Sequence, residues 1–267
     1  MGKSGDIRVG VGGWTYEPWR DGAFYPAKHP KTRELEFASR ALTTIEINVT
    51  FYSTQKPATF RKWAAETPDD FVFAVKAHRL TTNRRVLAEA GPSIEYFLSS
   101  GLAEMKSKLG PILWQFANYK KFEPEDFEAF LTLLPKSLDG LKLRHAVEVR
   151  HESFLVPAFV ALAHKYGAAI VYAHHETYPE IADVTADFVY ARLQQTAKKV
   201  ATGYTGPEIK TWASRTRSWA GGKVPDGLPS AAKPAKLAKT DVFLYFIAGA
   251  KERNPGAALA LLKELRK

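Results

Sequence analysis

The sequence predicts an α/β fold: a single-domain (β/α)8 barrel of the TIM type over residues 1–267, with an irregular sixth unit and a long loop before the last strand. Three observations carry that reading. Short β-branched or aromatic runs alternate with longer amphipathic ones along the whole chain, the order of a parallel sheet with right-handed crossovers. Eight such units in roughly 250 residues is the size of a closed barrel. Polar and charged residues also gather on one parity in the carboxyl-terminal halves of the strands, where barrels build their sites.

The first strand, residues 6–12, follows a polar start with no signal-peptide pattern, and nothing downstream of Gly2 supports lipidation. A helical pattern over residues 32–42 leads to a second strand at 44–50. A helix opening at Pro57 and running through Trp63 precedes a third strand at 71–76. The next helix is expected over residues 93–109, with Ser93 as its N-cap and Gly110-Pro111 as its stop. Strand 112–117, helix 124–134, strand 146–150, helix 153–166 and strand 168–173 follow. Between Ala173 and Asp187 there is room only for a short helix or turn. Strand 187–193, helix 207–219, strand 241–247 and helix 255–265 complete the order, several helices opening on the proline that suits a first turn. The stretch from Gly221 to Lys239 reads as an inserted loop. A doubly wound open sheet is the alternative architecture, but Gly10-Val11-Gly12-Gly13-Trp14 lacks the glycine spacing and following helix of its phosphate turn.

Hydrophobic residues make up 45% and charged residues 25%, enough for an ordinary globular core, and no run approaches a membrane span. There is no cysteine, which excludes disulfides, thiolate metal sites and a cysteine nucleophile and suits a reducing cytoplasm. A net charge of +10 favours anionic partners, an anionic small molecule or nucleic acid. The densest basic cluster, Lys223, Lys233, Lys236 and Lys239, lies in Gly/Pro/Ala-rich chain and reads as a solvated loop.

Side chains alternate faces along a strand. In the second strand Ile45, Ile47 and Val49 then face the helices, while Glu46 and Asn48 point into the barrel. The same parity turns Val72, Ala74 and Lys76 inward in the third strand, and Glu148 and Arg150 in the fifth. In the seventh strand it turns Tyr190, Arg192 and Gln194 inward; Gln115 and Tyr245 come from the fourth and eighth. Isolated buried ions cost several kcal/mol each even after relaxation, about 3–5 for a charge left unpaired. Five of them (Glu46, Lys76, Glu148, Arg150, Arg192) must therefore pair, with one positive charge over for a ligand. The alternative is a salt-bridge network that plugs the barrel mouth. His78, His151, His174 and His175 fall just beyond strand ends and add candidate acid/base groups or metal ligands.

These motifs resemble the YecE-like family, domain of unknown function 72. The resemblance rests on Gly12-Gly13-Trp14-Thr15-Tyr16 with Trp19 and Phe24-Tyr25-Pro26, and on the run from Ile45 to Tyr52 with Trp63, Thr67-Pro68 and the run from Phe71 to Lys76. Two further blocks are Val147-Glu148-Val149-Arg150-His151 and the run from Asp187 to Leu193. It covers nearly the whole chain and implies a TIM barrel with no established activity; kinship with metal-dependent barrels such as endonuclease IV is one of fold alone. The sequence departs from the family pattern at Gln194-Gln195, where His-Gly is usual, and at Ile247 to Lys251, where asparagines are usual. Lys251, Arg253 or Asn254 then supply different contacts.

The functional expectation is an anion pocket at the carboxyl end of the barrel, serving, if the protein is an enzyme, a hydrolase-type reaction on a phosphoester or nucleic-acid-related substrate. Glu46 or Glu148 would be the catalytic base, and Asn48, Tyr52, Lys76, Arg150, His151, Arg192, Gln194 and Tyr245 would bind substrate, with Trp14 available to stack. A glycosidase-like use of the two glutamates is disfavoured by the three cations around them. Glu46, Glu148 and His174 offer a conceivable oxygen/nitrogen metal set, but no His-x-x-His or His-Glu-x-x-His pattern appears, so neither metal nor cofactor is expected. The alternative function is a non-catalytic module for nucleic acid or a charged metabolite, using Trp19, Tyr119 and Tyr204 as exposed stacking groups.

Overall fold

Eight parallel strands close on themselves in the computed structural model, which describes residues 5–233 and 238–267. They are β1 (Ile7–Gly12), β2 (Thr44–Ile47), β3 (Val72–Lys76), β4 (Leu109–Gln115), β5 (His145–Glu148), β6 (Ala169–His174), β7 (Phe188–Leu193) and β8 (Asp241–Phe246). Each pairs with its neighbours in chain order, and β8 closes the ring on β1 from Ile7 opposite Val242 to Val11 opposite Phe246. Among the described residues seven α-helices lie between and after the strands: α1 (Glu34–Ala41), α2 (Pro57–Glu66), α3 (Gly91–Leu98), α4 (Pro124–Thr132), α5 (Pro157–Tyr166), α6 (Gly206–Ala220) and α7 (Asn254–Leu265). The sixth connection has no helix; Thr185 ties it to the barrel, its hydroxyl donating to the Ala168 carbonyl and accepting from the Ile170 N–H. Among the described residues no helix is long and apolar enough to cross a membrane. Gly2 and Lys236 lie outside the described residues.

Strand alternation divides the core in two. Ile45, Ile47, Val147, Val149, Val189, Ala191 and Leu193 belong to the outer cluster that the helices cover. Ala74, Leu113, Ala146, Phe188, Tyr190, Phe243 and Tyr245 belong to a separate inner cluster that fills the barrel. Burying an aliphatic or aromatic side chain completely stabilises by about 1.5–3 kcal/mol, so each layer holds its strand face in register. One residue of slip would exchange the two sets.

Three local expectations are corrected. The second strand stops at Ile47, because Asn48 takes up helical dihedrals and opens a 3-10 turn, Val49–Phe51. The Thr50 hydroxyl pins that turn by donating to the Lys76 carbonyl at 2.7 Å, and Val49 is left 46% exposed instead of facing a helix. Helix α3 starts two residues before Ser93, which is not its cap and instead accepts from the Arg84 guanidinium. The helix breaks before Gly101, whose φ is +114°, and Gly110-Pro111 belongs to β4 instead of stopping a helix. There the register shifts between Phe73 and Val75, and a Cβ on Gly110 would sit 2.6 Å from the Phe73 carbonyl oxygen. Glycine serves here by close approach at a bulge.

Gly110→Ala is therefore expected to cost about 1–3 kcal/mol or more, read as a lower urea midpoint. Gly206→Ala, in the first turn of α6 with open space around it, should leave the midpoint unchanged or raise it by an amount within about 1 kcal/mol. Equal midpoints for the two variants would contradict the bulge argument.

Candidate functional site

Three strands supply the floor of the barrel mouth. Alternation sends Glu46 from β2, Glu148 from β5, and Tyr190 and Arg192 from β7 into the axis, where Arg192 lies between the two carboxylates. Its Nη2 and Nε donate to the two oxygens of Glu46 at 3.1 and 3.2 Å, and its Nη1 donates to Glu148 Oε2. The Tyr190 hydroxyl adds a 2.7 Å bond to Glu46 Oε2. Gln115 donates to Glu148 Oε2 at 2.7 Å, and Arg150 donates through Nε and Nη2 to Glu148 Oε1 at 3.2 and 3.1 Å. Both carboxylates are fully buried, and every oxygen of the pair is engaged.

Burial alone would push the Glu148 carboxyl up, but the Arg192 and Arg150 charges outweigh it and hold it down at about 2. Burial likewise opposes the charge on Arg192, and Glu148 and Glu46 more than restore it, raising its pKa. Both shifts point the same way: Glu148 and Arg192 are each held in the charged form. Below it, the Thr44 hydroxyl spends its hydrogen on the Val72 carbonyl, so the Tyr245 hydroxyl donates to Thr44 at 2.9 Å.

Above the floor opens a cavity of about 720 Å³. Lys76, at the end of β3, reaches into it while only 8% exposed, its Nζ 3.9 Å from the centre of the Phe51 ring. Among the described residues it has no carboxylate within ion-pair distance, because Glu46 and Glu148 are taken by the guanidinium groups. Burial and then the Arg192 charge lower its pKa to about 8, the two glutamates offsetting part of the effect. The Arg150 guanidinium lies 4.5 Å over the Tyr178 ring, which stacks on His175, and its Nη1 has no hydrogen-bond partner among the described residues. Gln194 lines the cavity 7% exposed with its Nε2 unpartnered. Trp14 and Trp63 meet edge to face at 5.2 Å in one wall, and the Lys251 ammonium lies 4.2 Å over Tyr16 in another. The close approach of Gly12, where a Cβ would come within 2.8 Å of the Asn48 amide, keeps the β1 side of the mouth open.

Of the residues expected at the site, Asn48, Tyr52, Lys76, Arg150, Arg192 and Gln194 line the cavity. Glu46, Glu148 and Tyr245 lie in or beneath its floor, fully buried. Among the described residues no histidine lines it. His78, His151 and His175 each accept through Nδ1 from the N–H two residues on, so they cap the turns that leave the strands. His174 is on the outer face of β6 against Tyr204 and Trp212, so it cannot join Glu46 and Glu148 in a metal set. Trp19 is fully buried and Tyr204 is 3% exposed, against the expectation of stacking groups in solvent; Tyr119 is exposed. Lys251 and Asn254 line the cavity, but Arg253 turns away to the Lys198 carbonyl. Tyr16, Gln55 and Trp63 were not anticipated there, since strand parity is silent about loops and helices; the glycine-aromatic run after β1 was a sequence signal for Tyr16 alone.

This geometry defines a TIM-type barrel with a cation-lined cavity over a buried Glu–Arg–Glu floor. The chain belongs to the family described as protein of unknown function DUF72, whose model matches residues 8–267. It is similar to the UPF0759 protein YunF of Bacillus subtilis (strain 168), with 26% identity over 158 residues, 57% of this chain and 54% of that protein. The match thus spans about half the length of that relative. Among solved structures, a DUF72 family protein of Thermotoga maritima MSB8 superposes with a TM-score of 0.72 at 20% identity, covering 98% of this chain and 100% of the other. One from Enterococcus faecalis V583 gives 0.70 at 18%, covering 98% and 96%, and SacUVDE gives 0.56 at 12%, covering 98% and 99%. These structural likenesses concern the fold.

Arg192→Met should leave the buried Glu46 without a counter-charge and Glu148 with Arg150 alone, and cost about 3–5 kcal/mol at pH 7. The depressed Glu148 pKa contributes stability that is complete above about pH 4.5 and is lost as pH falls toward 2, so the difference between variant and parent should narrow at pH 3. Urea midpoints at pH 7 and pH 3 test this; a constant difference would refute the counter-charge role.

Proposed function

We propose that the cavity binds a small organic anion, its phosphate or carboxylate held by Lys76, Arg150 and Arg192 and its flat or apolar part lying against Trp14, Trp63 and Tyr52. The supporting observation is the unpaired Lys76: three cations face two carboxylates, and both carboxylates are spent on the guanidinium groups. The unpartnered Nη1 of Arg150 adds a donor, and the volume suits a ligand of nucleotide size. A phosphoester or a nucleic-acid component fits this chemistry. A base role for Glu46 or Glu148 is not supported, because neither reaches the cavity and every oxygen is engaged; their part is to fix Arg192 and Arg150. The alternative of a module for long nucleic acid is weakened by the burial of Trp19 and Tyr204. The lack of cysteine supports work in the cytoplasm.

Titration calorimetry with inorganic phosphate, phenyl phosphate and adenosine monophosphate tests the reading. Phenyl phosphate should bind more tightly than phosphate, and Lys76→Met should weaken each by about 10–100-fold, the worth of one charge-assisted hydrogen bond. The proposal fails if none of the three gives heat, or if Lys76→Met binds as the parent does.

A further inference from the structure

We propose that Lys76 is a covalent nucleophile, condensing through its amine with the carbonyl of an aldehyde or ketone whose phosphate or carboxylate is held by Arg150 and Arg192. The inference rests on the anion reading above and names the substrate class that the reading leaves open.

Lys76 is built differently from a lysine meant only as a counter-charge. The cavity already holds two guanidinium groups, permanent charges with hydrogen bonds enough for an anion. A third cation beside them, buried and without its own carboxylate, is the group whose charge is hardest to sustain. The groups that bear on it are Arg192 from β7 and Arg150 after β5, which oppose its protonation, and Glu46 from β2 and Glu148 from β5, which favour it. The Phe51 ring beneath Nζ supplies no hydrogen-bond acceptor and favours the ammonium through its face. The balance lies with the cations and burial, so a substantial share of Lys76 is free amine just above neutrality. A desolvated lysine next to other cations is the arrangement that activates an amine for carbonyl chemistry. Lys251 is less suited, because burial alone acts on it and it lies over Tyr16, away from the guanidinium groups' influence.

The step balances without an added reagent. The Nζ lone pair attacks the carbonyl carbon while the C=O π pair moves to oxygen. The resulting carbinolamine loses that oxygen as water, which carries off both amine hydrogens and leaves a C=N bond.

Borohydride trapping tests it, with pyruvate and pyridoxal 5′-phosphate as probe carbonyl compounds and peptide mapping of the reduced adduct. One adduct per chain is expected at Lys76, forming about tenfold or more faster at pH 7–8 than at surface lysines of ordinary pKa. It should be suppressed by excess inorganic phosphate and absent from Lys76→Arg, whose fold is checked by its urea midpoint. If calorimetry shows that pyruvate or phosphate binds but no adduct maps to Lys76, the nucleophile is refuted and the anion reading stands. Adducts at Lys251 or surface lysines alone refute it equally. If no anion binds at all, both readings fall together.

Discussion

The Arg192 guanidinium between Glu46 and Glu148 is the interaction on which the mouth of the barrel depends. It joins β7 to β2 and β5, strands that do not pair with one another in the ring. Such a bridge earns little net stability over an apolar packing of the same shape, since desolvating three ions cancels most of their attraction. Its members are nevertheless interdependent, because deleting Arg192 strips Glu46 of its counter-charge and leaves Glu148 with Arg150 alone. The trio therefore fixes where the packed interior ends. Below it, Tyr190, Tyr245 and Phe243 fill the axis; above it the strands carry Lys76, Gln194 and open space.

How much of this was legible in the sequence follows from the same geometry. Within a strand, period two is exact enough to sort Ile45 from Glu46 and Ala191 from Arg192, so the floor and the strand-borne part of the lining could be read from alternation. It fails where the backbone leaves the strand. Val49 continues the pattern in sequence, yet Thr50 bonds to the β3 end and turns the chain, putting Val49 into solvent. Gly110-Pro111 looks like a helix stop because both residues disfavour helices, but a bulged strand needs the same absence of Cβ. The walls were least legible: Tyr16, Gln55 and Trp63 reach the cavity from loops and from α2, whose orientation no local pattern encodes.

The histidines show how position can mislead about chemistry. Four stand just after strands, where a barrel places catalytic groups. The same point is where the chain must turn, and an imidazole that accepts from the N–H two residues ahead serves as a turn cap. His78, His151 and His175 do this, and His174 faces the outer helices by parity. Among the described residues no histidine and no carboxylate lines the cavity, while permanent positive charge and one tunable amine do.

Gln194 sharpens the contrast between floor and lining. Nearly every polar atom of the floor is satisfied, but one step above it a buried amide Nε2 has no partner among the described residues. An unmet buried donor costs about 1–3 kcal/mol, and Trp219 Nε1, away from the cavity, carries the same cost. An unpaired lysine and a guanidinium with a free Nη1 are two donors around one cavity that lack an acceptor among the described residues. In the reading proposed above, acceptor oxygens carrying negative charge complete these donors. A plug that closed its own network would pair Lys76 as well, and among the described residues Lys76 has no carboxylate within ion-pair distance.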